Sequence, residues 1–534
     1  MFWILCIVGL ILRVYQLDSQ IICSDEWHLI YDIRSFSWWY NITHFHSADS
    51  CVPLTIFAHV LQSTVGVNEF GLRFLPFLSG AFIIFLGYGL VKRVFNKRIA
   101  LIFTALIVIS PLLIYYSRYV RPYSIVALLS FIAVFAFYEW IKTGKRSYAG
   151  IYIITSVFAV YFHLFALPIV VSPLLVSFAL LFLEQRNKDK KYILKMPSLG
   201  KLLIVGIGVL FGIALWLIPL LSSVKAIVDK MGKDHFLPDT FFKTVALFSG
   251  SGDHLIIAFF VVFFIYGAIC LYRENIFLFL TILTMIFLFS LSVMTTMPIW
   301  IKGCIVLARY GISLLLFFLL PVAIGLHDFG VRILIKSRFQ PGKIMFLAGI
   351  GLFVILFLKG PIPNFYYYPN SLTNWTFFQY DYCKRILHKE GIKRSELQFY
   401  NSLSSQSQVH AIVEYPYSLD MLLPYCSYQY LHRKRVLIGE DHKEKLAFLK
   451  KNIHLSNYVD IEDPDSWRAR ASYLVIHSHV VSKFEGMMCM ITGNFKQEIF
   501  SDRYEGPMRN FLLRLSKIYG QPVYQDDYIV VFKS

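Results

Sequence analysis

Asp25 and Glu26 are adjacent carboxylates in a segment that directly follows an apolar run. Two such groups beside a membrane are hard to keep ionised together, and either can serve as a general base. They are equally open to a plainer reading, a solvated acidic loop. Asp49 lies in the same segment, in Asp49-Ser50-Cys51-Val52-Pro53-Leu54. Arg118 and Arg121 lie three apart in Tyr115-Tyr116-Ser117-Arg118-Tyr119-Val120-Arg121-Pro122-Tyr123, and Arg309–Tyr310 is a similar pair farther on. A guanidinium suits bidentate contact with a phosphate. The alternative for each arginine is an anchor to lipid head groups. His163 stands in Tyr161-Phe162-His163-Leu164-Phe165, at the reversal between two apolar runs. A base, cations for a phosphate and no Gly-rich nucleotide loop make up the chemical inventory.

These residues are carried by a chain of 534 residues that is 57% hydrophobic and 16% charged, with a mean hydropathy of +0.59. Average soluble proteins are roughly 45–50% apolar and about 25% charged. A soluble fold could not cover its surface with this balance. Disorder is excluded by 49 Phe and 33 Tyr, and 8 Cys are too few for a disulfide scaffold. The fold class expected is an all-α polytopic membrane domain with about eleven transmembrane helices, followed by a small extracytoplasmic α/β domain. The runs fall near 2–17, 74–91, 99–116, 124–141, 149–162, 164–183, 202–221, 255–272, 276–294, 310–326 and 344–358.

Of the net charge of +18, roughly +15 falls in residues 1–360, with 30 Lys and Arg against 15 Asp and Glu. The basic loops are 92–98, 142–146, 186–201, Arg273 and 332–343, and the alternate loops are nearly balanced. The positive-inside rule places the basic set in the cytoplasm. The expected location is the inner (plasma) membrane, multi-pass, with the N-terminus cytoplasmic and the C-terminal region outside. No nucleic-acid-binding motif accompanies the positive charge. The domain reading is 1–360 for the membrane part and 361–534 for the outer part. In the latter, Leu397–Asn401, Arg435–Gly439, Ser472–His477 and Tyr528–Lys533 read as strands. Trp375–Leu387, Leu419–Leu431 and Met508–Tyr519 read as helices.

In order along the chain, the motifs resemble the polyprenyl-phosphate-sugar-dependent glycosyltransferases of the GT-C fold. The nearest group is glycosyltransferase family 39 and its relatives, the protein O-mannosyltransferases and lipid A aminoarabinose transferases. That family has an Asp-Glu pair in its first external loop, matched by Asp25 and Glu26. Its Asp-x-His-Pro-Pro-Leu-Tyr stretch resembles Asp49 through Thr55, with Cys51 in place of His, Val52 in place of Pro and Thr55 in place of the aromatic. Gly66, Glu69, Arg73 and Pro76 follow its Gly-x-x-Glu-x-x-x-Arg-x-Pro pattern with one extra residue before the proline. Ser110-Pro111, Tyr116-Ser117, Arg121 and Tyr123 match its next segment, where Tyr119 stands at an often acidic position. Tyr161, His163 and Phe165 match a Tyr-x-His-x-Phe turn. The likeness covers about 25–170, and beyond it only Arg309–Tyr310 is recognisable.

The resemblance implies transfer of a sugar from a polyprenyl-phosphate donor to an acceptor hydroxyl of a protein, lipid or polysaccharide on the outer face. Asp25 would be the base and Glu26 would orient it. Arg118, Arg121 and Arg309 would bind the donor phosphate, and Asp49, Tyr123, His163 and Tyr310 would line the pocket. The partners expected are the lipid-linked donor, membrane lipids and the acceptor, with no nucleic acid. Some members are implied to bind a divalent cation, for which His163, Glu26 or Asp49 would be ligands. A lone histidine at a helix turn is more often a packed residue, so no metal ligand is assigned. The competing reading is a non-catalytic transporter or flippase of lipid-linked saccharides. Transporters usually place ionisable groups at mid-membrane, whereas these clusters sit at span ends.

Overall fold

The computed structural model describes residues 1–15, 17–18, 22, 24–45, 51–186, 197–229, 231–232, 238–298, 301, 303–336, four positions within 349–355, 396–415, 432, 434–440, 453–477, 505–525 and 529–534. They form two compact units. One contains Met1–Tyr15, His28–His59 and Arg73–Gly360; the other contains Gln16–Trp27, Val60–Leu72 and Pro361–Ser534.

The helices in order are α1 Phe2–Val14, α2 Trp27–Ser35, α3 Trp38–Thr43, α4 Val52–Thr64, α5 Glu69–Val94, α6 Lys97–Ile109, α7 Pro111–Tyr116, α8 Tyr123–Thr143, α9 Arg146–Phe162 and α10 Leu167–Arg186. They continue with α11 Leu199–Leu217, α12 Lys225–Val228, α13 Pro238–Ser249, α14 His254–Glu274, α15 Ile276–Thr296, α16 Cys304–Tyr310 and α17 Ile312–Lys336. Among the described residues seven helices are long and apolar enough to cross a membrane: α5, α8, α10, α11, α14, α15 and α17. The chain is a membrane protein. Three of the expected runs fall on helices under 18 residues or are broken. The run at 2–17 is the 13-residue α1, and the run at 149–162 is the 17-residue α9. The run at 99–116 divides into α6 and α7 at Ser110–Pro111, because proline has no N–H to continue a helix but suits its first turn. Most of 344–358 lies outside the described residues.

α8 is enclosed along almost its whole length, whereas α11 shows most of its apolar surface outward. That difference marks a central helix and a lipid-facing one. Small residues allow the closest crossings. A Cβ on Gly267 of α14 would fall 1.8 Å from the Pro321 carbonyl oxygen of α17 and 2.9 Å from the Gly325 nitrogen. A Cβ on Gly80 of α5 would fall 2.3 Å from the Ser117 Cβ. Arg13, fully buried at the end of α1, donates from Nη1 to the Gly9 carbonyl at 3.0 Å and from Nη2 to the Ile107 carbonyl at 3.1 Å. Backbone acceptors thereby receive both terminal nitrogens of a cation in an apolar setting.

Among the described residues the second unit holds a six-stranded sheet: β1 Ala411–Tyr415, β2 Arg435–Glu440, β3 Tyr458–Asp460, β4 Tyr473–His477, β5 Tyr524–Gln525 and β6 Ile529–Lys533. The order is β3-β2-β1-β4-β6-β5, with β3 through β4 parallel and β6 antiparallel to its neighbours. β1 lies between β2 and β4, the reversal of order found in doubly wound sheets. α18 Glu396–Ser405 and α19 Glu505–Tyr519 complete it. One face is apolar, built on Val413, Leu437, Leu474, Ile476, Trp467, Leu515 and Phe532. The strand expected at Leu397–Asn401 is part of helix α18. Its buried Phe399, Tyr400 and Leu403 recur at three and four residues, a helical period that a five-residue window does not reveal. The other expected strands and α19 are present, while 375–387 and 419–431 lie outside the described residues.

A polar group is enclosed on the face away from the apolar core. The Tyr400 hydroxyl donates to Glu414 at 3.0 Å, and His477 Nε2 lies 2.8 Å from Glu414 Oε2. The His432 ring stacks on Tyr400 with centroids 5.6 Å apart, and its Nδ1 accepts the Lys434 N–H at 2.9 Å. Burial pushes the Glu414 carboxyl up and holds His432 down at about 3, with Lys434 adding to the latter effect.

Candidate active site

Four expected site residues meet in the helical unit. Arg309 and Tyr310 form the last turn of α16, which Gly311 terminates. Tyr123 opens α8 directly after Pro122. His163 follows the last residue of α9, and its Nδ1 accepts the N–H of Phe165 at 3.3 Å, capping the 3-10 turn Leu164–Ala166. The Arg309 guanidinium carbon lies 5.8 Å from the Tyr123 ring centroid and 5.6 Å from that of Tyr310. His163 lies 5.2 Å from Tyr310 and 5.6 Å from Tyr123. Phe165 stacks on Tyr310 at 4.9 Å and 11°. Except for enclosed Tyr123, these side chains are half-buried. A cation on aromatic faces is oriented without losing its charge, which is the requirement for holding an anionic oxygen in place. Sequence reasoning assigned Phe165 no role, although its motif contains it.

Arg118 has different surroundings. Residues 117–122 form turns between α7 and α8, so the spacing of three does not place Arg118 and Arg121 on one helical face. Arg118 is buried, and its Nη1 donates to the carbonyls of Arg13 at 3.1 Å and Tyr15 at 2.7 Å. These groups close the C-terminal end of α1, where carbonyls have no helical partner and cations are favoured. Arg121 is also buried, and its backbone N–H donates to the Tyr119 carbonyl at 2.7 Å. Around them Tyr115 stacks on Tyr119 at 5.1 Å and Tyr116 meets Tyr123 edge-on at 4.7 Å.

In the other unit, Asp25 and Glu26 end the 3-10 turn Ser24–Glu26. Asp25 is half-buried and Glu26 is buried, 1% exposed. Environment therefore distinguishes the two carboxylates. Asp49 lies outside the described residues. Glu69, which the motif reading left without a role, is buried at the start of α5, and its Oε1 accepts the Asn457 N–H at 3.0 Å. No sequence signal joins two residues 388 positions apart.

Among the described residues no three His, Cys, Asp or Glu are grouped to hold a metal ion. His163 is instead packed among rings with Nδ1 engaged by a backbone amide.

Residues 53–216, less than half of the chain, match the family described as dolichyl-phosphate-mannose-protein mannosyltransferase. This agrees with the resemblance read from the motifs. No curated protein sequence matches the chain. Among solved structures it is similar to ArnT from Cupriavidus metallidurans bound to undecaprenyl phosphate, at 12% identity and a TM-score of 0.46, covering 99% of this chain and 97% of that one. It is also similar to the oligosaccharyltransferase AglB from Archaeoglobus fulgidus in complex with an inhibitory peptide and a dolichol-phosphate. There the values are 13% identity, a TM-score of 0.43, and coverage of 92% and 71%.

Proposed function

We propose that the protein is an integral-membrane glycosyltransferase that moves a sugar from a polyprenyl-phosphate donor to an acceptor hydroxyl on the extracytoplasmic face. The observation that carries this reading is the meeting of Tyr123, His163, Arg309 and Tyr310, which come from three separate stretches of sequence. The family match over 53–216 supports it. In the reaction, the acceptor oxygen attacks the anomeric carbon as Asp25 takes the hydroxyl proton. The bond from that carbon to the phosphate oxygen breaks, and its electron pair stays on the lipid phosphate. One displacement inverts the anomeric centre. Half-buried Asp25 suits the base, and enclosed Glu26 suits an orienting role. Arg309, held on two aromatic faces, meets the charge that grows on the leaving phosphate, and Arg121 is assigned to the same phosphate.

The reading is tested by giving membranes that contain the protein a panel of labelled polyprenyl-phosphate sugars. Label should pass into a protein, lipid or polysaccharide fraction, with free polyprenyl phosphate released in equal amount. Movement of intact donor between leaflets without loss of its sugar would instead establish a flippase.

A further inference from the structure

Glu69 is buried, belongs to a motif, and takes no part in the reaction as written. Its contacts lie within the sheet-bearing unit, which also contains Gln16–Trp27 and Val60–Leu72. Oε1 of Glu69 accepts the backbone N–H of Asn457 at 3.0 Å, the Asn457 Nδ2 at 3.1 Å and the Ser456 hydroxyl at 3.3 Å. The Asn457 amide is fully used: its Oδ1 accepts from Arg435 Nη2 at 2.7 Å, and its Nδ2 also reaches the Asp18 carbonyl at 3.4 Å. The next residue, Tyr458, opens edge strand β3, and its hydroxyl donates to the Ile22 carbonyl at 3.0 Å. Beside them His454 N–H donates to the Val67 carbonyl at 2.7 Å, continuing a bridge between Val67 and Ile453. Glu69, Asn457 and Ile22 are each at most 2% exposed.

Ile22 precedes Asp25 by three residues. Asp25 lies in a three-residue 3-10 turn that leads into α2; so short a turn does not by itself fix a base in a reactive geometry, and small displacements of such groups are costly. We infer that the edge of the sheet is a positioning device for the proposed reaction. Tyr458 and Asn457, organised by Glu69, hold the segment that carries Asp25 and Glu26. This inference rests on the proposed role of Asp25 and extends it to an outer domain that carries no recognisable motif.

The test uses the full-length protein in detergent or nanodiscs. Tyr458→Phe keeps the ring and removes the hydroxyl, and Glu69→Gln keeps the shape and removes the charge. Tyr519→Phe is the control, because its hydroxyl also donates to a carbonyl, that of Ile461, but on the apolar side of the sheet. Amide hydrogen exchange across 16–27 is expected to rise about tenfold in Tyr458→Phe and Glu69→Gln and not in Tyr519→Phe. With a donor that turns over, kcat per mole of folded protein should fall about 5- to 20-fold in the first two variants, with donor KM within twofold. Unchanged exchange across 16–27 overturns the inference. Raised exchange with unchanged kcat overturns the positioning role, as does an equal loss of kcat in Tyr519→Phe. Asp25→Asn provides the separate check: full turnover in that variant removes the base while leaving the exchange result intact.

Discussion

Arg118 and Arg309 look alike in the sequence, and the structure gives them different surroundings. Arg118 Nη1 closes the end of α1 through the carbonyls of Arg13 and Tyr15. Both bonds come from one nitrogen, and a lysine ammonium, on a stem one bond shorter, is expected to recover one of them at best. Each hydrogen bond to a charged group is worth about 1.5–3 kcal/mol, and a carbonyl left unsatisfied in a buried place costs a comparable amount. Arg118→Lys should therefore destabilise the helical unit by about 1.5–3 kcal/mol. This would appear as a drop of several degrees in thermal unfolding, with donor KM unchanged in the folded fraction. Arg309→Lys should do the reverse. Its ring contacts at 5.6 and 5.8 Å hold the guanidinium but bury little, so unfolding should shift by less than about 1 kcal/mol. Loss of a forked phosphate contact should lower kcat/KM for the donor by roughly 10- to 150-fold. The assay pairs a melting curve in detergent with donor kinetics for each variant. An unchanged melt with a tenfold rise in donor KM for Arg118→Lys would refute the assignment, as would normal donor kinetics for Arg309→Lys.

Three further outcomes follow from named contacts. Gly267→Ala places a methyl group on the backbone of α17, so it should cost at least about 1–3 kcal/mol in thermal unfolding, whereas Gly89→Ala, with nothing within 4 Å, should be neutral or slightly stabilising. His432 is held neutral in the folded protein, at about 3, so its contribution is full above the ordinary histidine value and is lost as pH falls below it. At pH 5 that loss is about 2 kcal/mol; Glu414, pushed up by burial, acts in the opposite sense, so the difference between wild type and His432→Leu isolates the histidine. Tyr310→Phe should retain most donor turnover and Tyr310→Ala should lose about tenfold or more, because the ring faces carry the contacts with Arg309 and Phe165; equal activity in both, measured with the same donor, would show that the ring does not hold Arg309 in a working position.

The legible parts of the fold are those with a strong local signal. Long apolar runs gave α5, α8, α10, α11, α14, α15 and α17, and Ser110–Pro111 carries its own reason for the break between α6 and α7. Leu397–Asn401 was misread because five residues of mixed aromatic and aliphatic type fit either period, and packing of Phe399, Tyr400 and Leu403 decides for helix. Tyr123, His163, Arg309 and Tyr310, singled out through the order of motifs, lie together in the structure. The contact of Arg118 with the end of α1 was not legible, because nothing local indicates that those carbonyls meet a cation. The Glu69–Asn457 contact was invisible for a different reason. It satisfies a buried carboxylate through chain brought from 388 residues away, and only tertiary structure creates that need.

The central claim is that Asp25 removes the acceptor proton as sugar leaves a polyprenyl phosphate. The most direct measurement compares wild type with Asp25→Asn in purified, folded protein, following both binding of the labelled donor and release of polyprenyl phosphate. Turnover should fall by about 10²–10⁴ while donor affinity changes by less than about threefold, since a positioned base acts on the reaction and not on donor binding. Turnover within a few-fold of wild type, or a loss that appears only as weakened donor binding, would contradict the account.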